Sequence, residues 1–312
     1  MPETSEEWQV GGHIVRISNP DKPYWPEDGL TKGDMLRYYL TVAPVLLPYF
    51  RDRPVTLRVF PDGIHGFSYY RRDLPEHAPP WLRSVSYQPE TSGEAIQLPL
   101  VDDAAGLLWL ANQGSIEFHL WASRLPDLGR PDMAVFDLDP GEGATFRDVL
   151  QAALLLREAL DRQGMKAYAK TSGGRGLHVY VPCPTGPPPD RSGATADPAV
   201  PPCGSFDDVR YWVRGLAEKL AEAYPRLIAV AHGPTHRGRR ITVDYAQNSV
   251  GRNTAAPYTL RARPGAPVSA PLAWHEVEEG RIHPSDFTLR TVPPRLEQMG
   301  DLFAPLLAGP TP

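Results

Sequence analysis

The sequence predicts an α+β fold built around a mixed β-sheet. Two observations carry this prediction: segments typical of strands and of helices alternate along the chain, and some strand-like segments are joined by turns short enough for hairpins. Residues 165–182 show this best, since a strand, a glycine-rich turn and a second strand follow one another. Because hairpins join antiparallel strands, a doubly wound parallel sheet is disfavoured.

The composition narrows the class of protein. The chain has 312 residues, 41% of them hydrophobic and 22% charged, as in an ordinary soluble globular protein of one large or two smaller domains. A net charge of −5 excludes a bulk polycation, so any contact with nucleic acid must use local basic patches. No stretch is apolar enough to span a membrane, and the first residues do not resemble a secretory signal, which favours the cytoplasm.

The cysteine content also favours a reducing compartment such as the cytoplasm. Cys183 and Cys203 are the only two in the sequence, too few for a disulfide framework, and a reducing compartment is expected. They bracket a proline-rich loop over residues 182–202, but no further residues stand at the spacing of zinc ligands.

The N-terminal elements begin with a helix over residues 31–47. Thr31 is its candidate N-cap, with Asp34 three positions on, and Pro44 is expected to kink or end it. The segments that then read as strands are 53–60, 66–72 and 95–103. Residues 104–123 predict a helix followed by a strand, which would carry Glu117 and His119 on one face.

The second half begins with a linker over residues 124–132, which leads into the next predicted strand. A helix is expected from Thr145, with Asp148 three positions on, to a stop at Gly164. After the hairpin and the proline-rich loop, Ser205 would cap a helix over residues 206–223. The last core strand is expected over 239–245, and the proline-rich tail after about residue 300 is expected to be loose.

Two aspartates interrupt an apolar strand in FDLDPGEG, residues 136–143. Side chains two residues apart on a strand point the same way, so Asp137 and Asp139 would repel each other unless a cation lies between them. A solvated strand end is the structural alternative. Asp244 favours the metal, because it is again a lone acid on an apolar run, and carboxylate oxygens suit Mg²⁺ or Mn²⁺. Two such ions are the usual device of phosphoryl transfer.

A glycine-rich turn lies in TSGGRGLHVY, residues 171–180. Ser172, Arg175 and His178 supply a hydroxyl, a guanidinium and an imidazole, which suit phosphate groups, and the glycines would let an anion approach the backbone. The turn is not a Walker A motif, since it lacks G-x-x-x-x-G-K-[ST]. A hairpin that simply needs glycine, with His178 in the core, explains the same residues.

The most basic part of the chain surrounds Asp244. Residues 232–263 hold one acid and these arginines: Arg237, Arg239, Arg240, Arg252, Arg261 and Arg263. Arg261 and Arg263 would share one face of a strand, where two guanidiniums can grip phosphate oxygens. A solvated basic surface is the alternative, but charge focused in this way on an acidic protein favours a polyanionic substrate.

Weaker signals come from the N-terminal part. Lys22 and Lys32 flank an aromatic turn, and Tyr69 and Tyr70 precede two arginines, an arrangement suited to stacking on bases. Ordinary surface lysines and core tyrosines also explain them. His119 could face either a site or the core.

Taken together, FDLDPGEG, TSGGRGLHVYVP and VDYAQNSVGRNTAAPYTLRAR resemble the three motifs of the archaeo-eukaryotic primase superfamily. They are most similar to those of the polymerase domain of bacterial ligase D, which acts in non-homologous end joining. The resemblance implies a primase-like fold: one primase-polymerase domain over residues 1–300, with an N-terminal α/β portion to about 130 and an RRM-like, mixed-sheet catalytic core over 131–300. A loose tail would follow over 301–312.

The resemblance also implies an activity. A template-dependent polymerase would add nucleotides, with a preference for ribonucleotides, to a primer 3′-hydroxyl during gap filling and end extension in double-strand break repair. It implies two Mn²⁺ or Mg²⁺ ions, held by Asp137, Asp139 and Asp244. The implied partners are 5′-phosphorylated DNA ends, gaps and template-primers, rNTPs or dNTPs, Ku and an ATP-dependent DNA ligase.

The remaining site residues are likewise implied by the resemblance. The implied nucleotide-binding residues are Ser172, Arg175, His178, His119, Gln247, Asn248, Arg261 and Arg263. The implied DNA-binding residues are Lys22, Lys32, Tyr69, Tyr70, Arg237, Arg240 and Arg252, with the two lysines at the 5′-phosphate and the two tyrosines on the template base.

Some features depart from the family. Arg175 stands where Lys is common, tyrosines replace a phenylalanine pair, and no K-x-D-G ligase motif occurs, so the chain is not expected to seal nicks. Two other functions stay open. A haloacid-dehalogenase-type phosphatase is one, although Pro140 and Gly141 replace the usual residues of its D-x-D-x-T strand. A catalytically inactive module that binds DNA ends through Lys22 and Lys32 is the other.

Overall fold

The computed structural model of the chain describes residues 4–89, 93–184, 201–230 and 238–309. The strands in these ranges are β1 (Ser5–Val10), β2 (His13–Ser18), β3 (Pro23–Trp25), β4 (Leu30–Thr31), β5 (Val55–Val59), β6 (Tyr69–Arg71), β7 (Ser84–Tyr87), β8 (Ile96–Pro99), β9 (Ser115–Trp121), β10 (Ser123–Arg124), β11 (Asp127–Pro131), β12 (Met133–Pro140), β13 (Tyr168–Thr171), β14 (Leu177–Pro182), β15 (Ile228–Val230), β16 (Ile241–Asp244), β17 (Asn253–Ala255) and β18 (Pro271–Leu272). The helices are α1 (Lys32–Phe50), α2 (Ala104–Asn112), α3 (Phe146–Asp161), α4 (Phe206–Ala223), α5 (Trp274–Glu279), α6 (Val292–Met299) and α7 (Ala304–Leu307).

The chain divides into two compact units. Unit 1 comprises Met1–Trp121, Asn253–Ser269 and Phe287–Gly300, and unit 2 comprises Ala122–Arg252, Ala270–Asp286 and Asp301–Pro312. Each unit therefore includes segments from the C-terminal third of the chain. No helix in the described part of the chain is both long and apolar enough to cross a lipid bilayer.

Unit 1 is organised around a four-stranded sheet in the order β17-β9-β5-β6, in which each pair is antiparallel. Strand β9 lies inside this sheet, and all seven of its residues are buried. Its pairing with β5 sets Arg58 opposite Glu117 and Thr56 opposite His119. The charged side chains of β9 are thus fixed among neighbours by the register.

Helix α1 begins as predicted and ends later. Thr31 accepts a hydrogen bond from the Asp34 N–H, and the Asp34 carboxylate accepts one from the Thr31 N–H, which completes a capping box. The prediction that Pro44 kinks or ends the helix is wrong about its end, because α1 continues through Pro44 and Pro48 to Phe50. Since α1 buries residues on most turns, packing outweighs the two missing N–H groups.

Unit 2 contains a six-stranded mixed sheet in the order β15-β16-β12-β14-β13-β18. Strands β15 and β16 are parallel, and the other pairs are antiparallel, which is the mixed sheet that the sequence predicts. Helices α3 and α4 begin at the predicted caps, Thr145 and Ser205. The ring of Phe136 packs against Trp212 of α4, at 5.4 Å between centroids. Asp137, the next residue of β12, therefore points to the opposite face of the sheet.

Three segments differ from their predictions. The linker over 124–132 contains a short hairpin, β10 with β11. Residues 261–263 form no strand, and the described part of the tail contains a helix, α7. Phe303 in that tail is fully buried, with its ring 5.4 Å from that of Tyr180. An apolar anchor so near the chain end explains why residues 301–309 are not loose.

The cysteines also differ from expectation. Cys183 and Cys203 are joined by a disulfide and both are buried. The bond closes a stretch with a sequence separation of 20 residues, most of which lies outside the described ranges.

Candidate active site

Four polar residues form a row across the sheet of unit 2. Asp244 of β16 lies directly opposite Asp137 of β12, Asp137 lies opposite His178 of β14, and His178 lies opposite Lys170 of β13. Directly paired residues of antiparallel strands project to the same face, with Cβ atoms about 4.5–5.5 Å apart. Two of the predicted acids and the predicted histidine are therefore brought together, along with a lysine that was not predicted.

Close contacts run along this row. Lys170 is fully buried, and its Nζ lies 2.8 Å from Nδ1 of His178. An ammonium that donates to Nδ1 leaves the proton of a neutral ring on Nε2. Nε2 faces Asp137, 3.4 Å from its Oδ1. Lys170 thus fixes which nitrogen of His178 is presented to the carboxylate.

Asp139 occupies the next position on the same face. It is paired with Thr242 of β16, whose Oγ1 is buried and has no hydrogen-bond partner among the described residues. A buried oxygen without a partner beside carboxylates fits a site that holds a further polar group. Gly176 closes the other side, since a Cβ there would lie 2.5 Å from the carbonyl oxygen of Leu138.

The three carboxylates have the donor chemistry of a Mg²⁺ or Mn²⁺ site, because these ions prefer oxygen ligands. Asp137, Asp139 and Asp244 lie on two paired strands and share one face. Oδ1 of Asp244 accepts a hydrogen bond of 2.9 Å from the Ala246 N–H. Within the described ranges, no three His, Cys, Asp or Glu side chains are placed so that they would hold an ion without moving. The donor chemistry and the shared face fit a metal site.

The glycine-rich turn joins β13 to β14 beside this row. Oγ of Ser172 accepts hydrogen bonds of 3.2 Å from the N–H groups of Gly174 and Gly176, so its hydroxyl shapes the turn. Arg175 is exposed at the tip of the turn and donates from Nη2 to the carbonyl oxygen of Gly141, at 3.1 Å. The turn is therefore tied to the loop that follows Asp139.

In unit 1, the predicted nucleotide-binding residues His119 and Arg261 meet at a buried carboxylate, Glu117. His119 Nε2 is 2.9 Å from Oε2 of Glu117, and Arg261 Nε is 3.1 Å from the same oxygen. The Ala262 N–H donates to Oε1 at 3.0 Å, and Arg58 Nη1 lies 3.5 Å from Oε1. Glu117 is only 1% exposed, so these groups replace the water that its carboxylate loses.

The charge of Glu117 is stabilised by its neighbours. Burial by itself would raise the pKa of this carboxyl, but the hydrogen bond from His119 and the charge of Arg261 outweigh burial and lower the pKa from 4.5 to about 2. Glu117 is thus an anion that accepts a hydrogen bond from an imidazole and forms an ion pair with a guanidinium.

Tyr69 and Tyr70 lie on β6, at the edge of the unit 1 sheet. As consecutive strand residues they point to opposite faces. Tyr70 is exposed and lies 5.9 Å from the His119 ring, with Arg58 over its own ring at 5.5 Å. Tyr69 stacks on Phe67, at 5.7 Å between centroids. Phe67 is 73% exposed and forms an aromatic surface that the sequence interpretation missed.

Lys22 and Lys32 are close through the backbone, since the Lys32 N–H donates to the Lys22 carbonyl oxygen at 2.8 Å. Lys22 Nζ forms an ion pair of 2.6 Å with Asp62. Lys32 is buried, and its Nζ donates to the carbonyl oxygen of Ser18 at 2.7 Å. Both ammonium groups have partners within the chain, and their contact with a 5′-phosphate stays a prediction.

The remaining predicted residues are dispersed. Asn248 is buried, and its amide forms hydrogen bonds of 2.9 and 2.7 Å with the N–H and carbonyl groups of Val135, a structural task. Gln247 ends a short 3₁₀ helix after β16. Arg240 is half-buried, Arg252 and Arg263 are exposed, and Arg237 lies outside the described residues.

Sequence reasoning missed Lys170 and Thr242, and it noted Glu117 without giving it a role. A local signal for Glu117 existed, because it shares a strand face with His119. Thr242 had the same kind of signal, since it lies two residues before Asp244 on one strand face. Lys170 gave none and is identified only by the strand paired with its own.

Several known proteins are similar to this chain in sequence. The sequence model of the family described as "LigD, primase-polymerase domain" matches residues 31–303. The multifunctional non-homologous end joining protein LigD of Mycolicibacterium smegmatis is 33% identical over 296 residues, which cover 94% of this chain and 36% of that protein. The bifunctional non-homologous end joining protein LigD of Bacillus subtilis is 30% identical, over 93% of this chain and 43% of that protein. The chain thus spans well under half the length of these relatives.

A solved structure is also similar. The polymerase domain of Mycobacterium tuberculosis ligase D, in complex with DNA, superposes with a TM-score of 0.81 at 31% identity. The match covers 95% of this chain and 99% of that one. This similarity confirms the α+β, primase-like fold predicted from the sequence.

Proposed function

This chain belongs to the LigD primase-polymerase domain family and is a nucleotidyltransferase of that class, and on this premise we propose that it extends a primer 3′-hydroxyl with nucleotides selected by a template. The observation that carries the proposal is the row on the unit 2 sheet, in which Asp244 lies opposite Asp137 and Asp137 lies opposite His178. Carboxylates directly opposed on neighbouring strands favour a bound cation, because they would otherwise repel each other.

In this proposal Asp137, Asp139 and Asp244 hold two divalent ions, Mn²⁺ or Mg²⁺. When bound, such ions neutralise triphosphate charge and lower the pKa of the primer 3′-hydroxyl. The primer 3′-hydroxyl would give its proton to solvent water, its oxygen would form the new bond to the α-phosphorus, the bond from that phosphorus to the bridging oxygen of the β-phosphate would break, and pyrophosphate would leave. The carboxylates position the reacting groups, and His178 stabilises negative charge beside them with the Nε2 proton that Lys170 directs toward Asp137.

The proposed nucleotide contacts in the two units rest on different observations. In unit 2, the glycine-rich turn presents Ser172 and Arg175 beside the carboxylates. In unit 1, Glu117 holds His119 and Arg261 in fixed orientations, which suits recognition of a polar, phosphorylated ligand. Preference for ribonucleotides is part of the proposal and depends on the fit around the 2′-hydroxyl.

The wider setting is also proposed. The relatives are named as non-homologous end joining proteins, and the solved relative is bound to DNA. We infer that this chain acts on 5′-phosphorylated ends, gaps and template-primers in the bacterial cytoplasm, together with Ku and an ATP-dependent DNA ligase. Lys22 and Lys32 are the proposed 5′-phosphate contacts, and Tyr70 is the more exposed of the two proposed stacking residues.

The test is primer extension on a gapped, 5′-phosphorylated duplex with Mn²⁺, comparing rNTPs with dNTPs. We expect Asp137→Ala and Asp139→Ala to abolish extension, whereas Glu222→Ala, which removes an exposed carboxylate from α4, should leave it unchanged. Full extension by either aspartate variant would refute the proposal.

The same assay addresses the alternatives. A catalytically inactive end-binding module would bind the duplex but extend it with no metal. A haloacid-dehalogenase-type phosphatase would hydrolyse p-nitrophenyl phosphate and leave the primer unchanged.

A further inference from the structure

Unit 2 contains a cavity of about 570 Å³ that adjoins the site described above and shares the glycine-rich turn with it. It lies where β12 ends and α3 begins, against the β13–β14 turn and residues 281–284. We call it the arginine cavity. The residues that characterise it are Pro140, Phe146, Arg147, Arg175, Arg281 and His283.

Its charge is one-sided. Arg147, Arg175 and Arg281 line the cavity, and no Asp or Glu is among the described residues that line it. Neither Arg147 nor Arg281 forms a hydrogen bond or ion pair with a described residue, and the nearby carboxylate of Asp148 is engaged in the capping box of α3.

Several other arginines of unit 2 are paired with acids. Arg157 pairs with Glu278 at 2.6 Å, and Arg162 and Arg214 pair with glutamates one helical turn away. Guanidiniums that converge without acids repel one another, so the folded chain alone does not explain the cluster. A polyanionic ligand bound in the cavity would explain the cluster, because it would offset this repulsion.

The cavity also offers rings. Phe146 and His283 meet edge to face, with centroids 5.8 Å apart, and Ile282 and Pro284 extend the apolar wall. Cations that line a groove together with aromatic rings are the usual surface for single-stranded nucleic acid, whose phosphates meet the cations while its bases contact the rings. The volume exceeds what one phosphate needs and is within the range of nucleotide-sized pockets.

Its position connects it to the reaction centre. Pro140, at the rim, directly follows Asp139 on β12, and Arg175 is fixed by its bond to the Gly141 carbonyl oxygen. Asp137, Asp244 and His178 do not line the cavity, so it adjoins the carboxylate row without including it. A ligand held there would lie next to the carboxylate row.

We propose that the arginine cavity binds the phosphodiester backbone of a single-stranded segment of nucleic acid, held by Arg147, Arg175 and Arg281. The inference rests on the proposed polymerase function, because a polymerase must retain a strand beside its metal site through successive additions. Its test needs neither metal nor nucleotide incorporation.

The experiment measures how the affinity of the full-length chain for fluorescein-labelled oligothymidylate without a 5′-phosphate depends on salt, by anisotropy in EDTA. Each phosphate contact to a single strand contributes about 0.7 to the slope of log K against log salt. The double variant Arg147→Gln/Arg281→Gln should therefore lose about 1.4 from the slope and bind roughly 25-fold more weakly at 0.1 M salt than the wild type, for lines that meet at 1 M. Arg175, which has a proposed nucleotide contact, is left intact.

Two controls separate charge from damage to the fold. Arg226→Gln removes an exposed arginine of unit 2 that does not line the cavity, and it should keep the wild-type slope. Arg147→Lys/Arg281→Lys keeps both charges and should restore most of the slope, whereas a folding defect would not be rescued in this way.

An unchanged slope in the glutamine variant would overturn the inference. If the glutamine variant keeps the wild-type slope for oligothymidylate but binds inorganic tripolyphosphate more weakly, the inference is also overturned. The cavity would then be a site for free polyphosphates. A reduced slope in a protein that extends no primer would leave the inference standing and sink the polymerase proposal alone.

Discussion

Glu117 is the residue on which the unit 1 constellation depends. Its carboxylate holds His119 and Arg261 at about 3 Å while being almost fully buried. Glu117→Gln keeps the shape but removes the charge, so both partners lose their orientation. We expect the KM for the nucleotide to rise about tenfold, equivalent to roughly 1.4 kcal/mol, with a smaller change in kcat. Steady-state primer extension checks this, and Glu94→Gln, an exposed glutamate of the same unit, is the control.

The lowered pKa of Glu117 predicts a pH dependence of stability. The folded-state pKa of about 2 lies below the ordinary value of 4.5, so the unfolded chain binds more protons between these values. The stabilisation is complete above about pH 4.5 and is lost as the pH falls toward 2, and a shift of this size corresponds to roughly 3 kcal/mol. The wild-type free energy of unfolding should therefore fall more steeply than that of Glu117→Gln as urea melts move from about pH 5 to about pH 3. Parallel curves would contradict this assignment.

Lys170 is expected to act through His178. Lys170→Met removes the donor to Nδ1, so the imidazole no longer presents a defined tautomer to Asp137. Losing one oriented, charge-assisted hydrogen bond should lower kcat about tenfold. Removing one member of a buried polar pair leaves Nδ1 of His178 without its donor, so we also expect a lower Tm, and the loss of kcat must exceed what the lower stability explains. A collapse of Tm without a specific loss of kcat would indicate a purely structural lysine. Lys219→Met, at an exposed position of α4, is the matched control.

Among the elements, β12 passes very close to the turn that precedes β14, and this contact holds the backbone between Asp137 and Asp139 in place. Gly176 leaves no room for a Cβ, because the carbonyl oxygen of Leu138, between Asp137 and Asp139, would lie 2.5 Å away. Gly176→Ala must therefore shift backbone, and we expect a loss of about 1–3 kcal/mol in stability together with most of the extension activity. Gly215→Ala is the control, since nothing lies within 4 Å of its added Cβ, and it should gain up to about 1 kcal/mol. Wild-type activity in Gly176→Ala would show that this contact is not critical.

Helix α1 shows how packing overrides a local rule. Proline removes an N–H and crowds the preceding turn, at a cost of about 3 kcal/mol in a helix interior. Yet α1 passes through Pro44 and Pro48, because Val42, Ala43 and Leu46 are buried between them or beside them. Burying such apolar side chains yields about 1.5–3 kcal/mol each, which is enough to offset the proline.

At the scale of the whole molecule, divalent ions should stabilise the fold. If the carboxylate row binds Mn²⁺ only when β12 and β16 are paired, free ion at about 100 times its Kd should add about 2.7 kcal/mol. Calorimetry should therefore show a higher Tm in Mn²⁺ than in EDTA. In Asp137→Asn/Asp139→Asn the Mn²⁺ effect should vanish, and Tm in EDTA should rise because the carboxylates no longer repel. If the Tm of the wild-type protein is the same in Mn²⁺ and in EDTA, the proposed metal site is excluded.

Much of the local structure could be predicted because its causes are local. The capping boxes at Thr31 and Thr145 set where α1 and α3 begin, and strand periodicity put Asp137 and Asp139 on one face. The motifs, and through them the family, were likewise legible in short stretches of chain.

The residues alone were enough to predict where α1 to α4 begin, that Asp137 and Asp139 share one face, and the family. Which strands pair, and in what register, became known only from the three-dimensional packing. The register places Lys170 against His178 and Asp244 opposite Asp137. Packing also brings Arg261 to Glu117, although Arg261 is not part of a strand. The difference comes from the distance along the chain over which each interaction acts. Dihedral preferences act within a few residues, whereas register and the partners of buried charges are selected by packing between segments that are far apart in the chain.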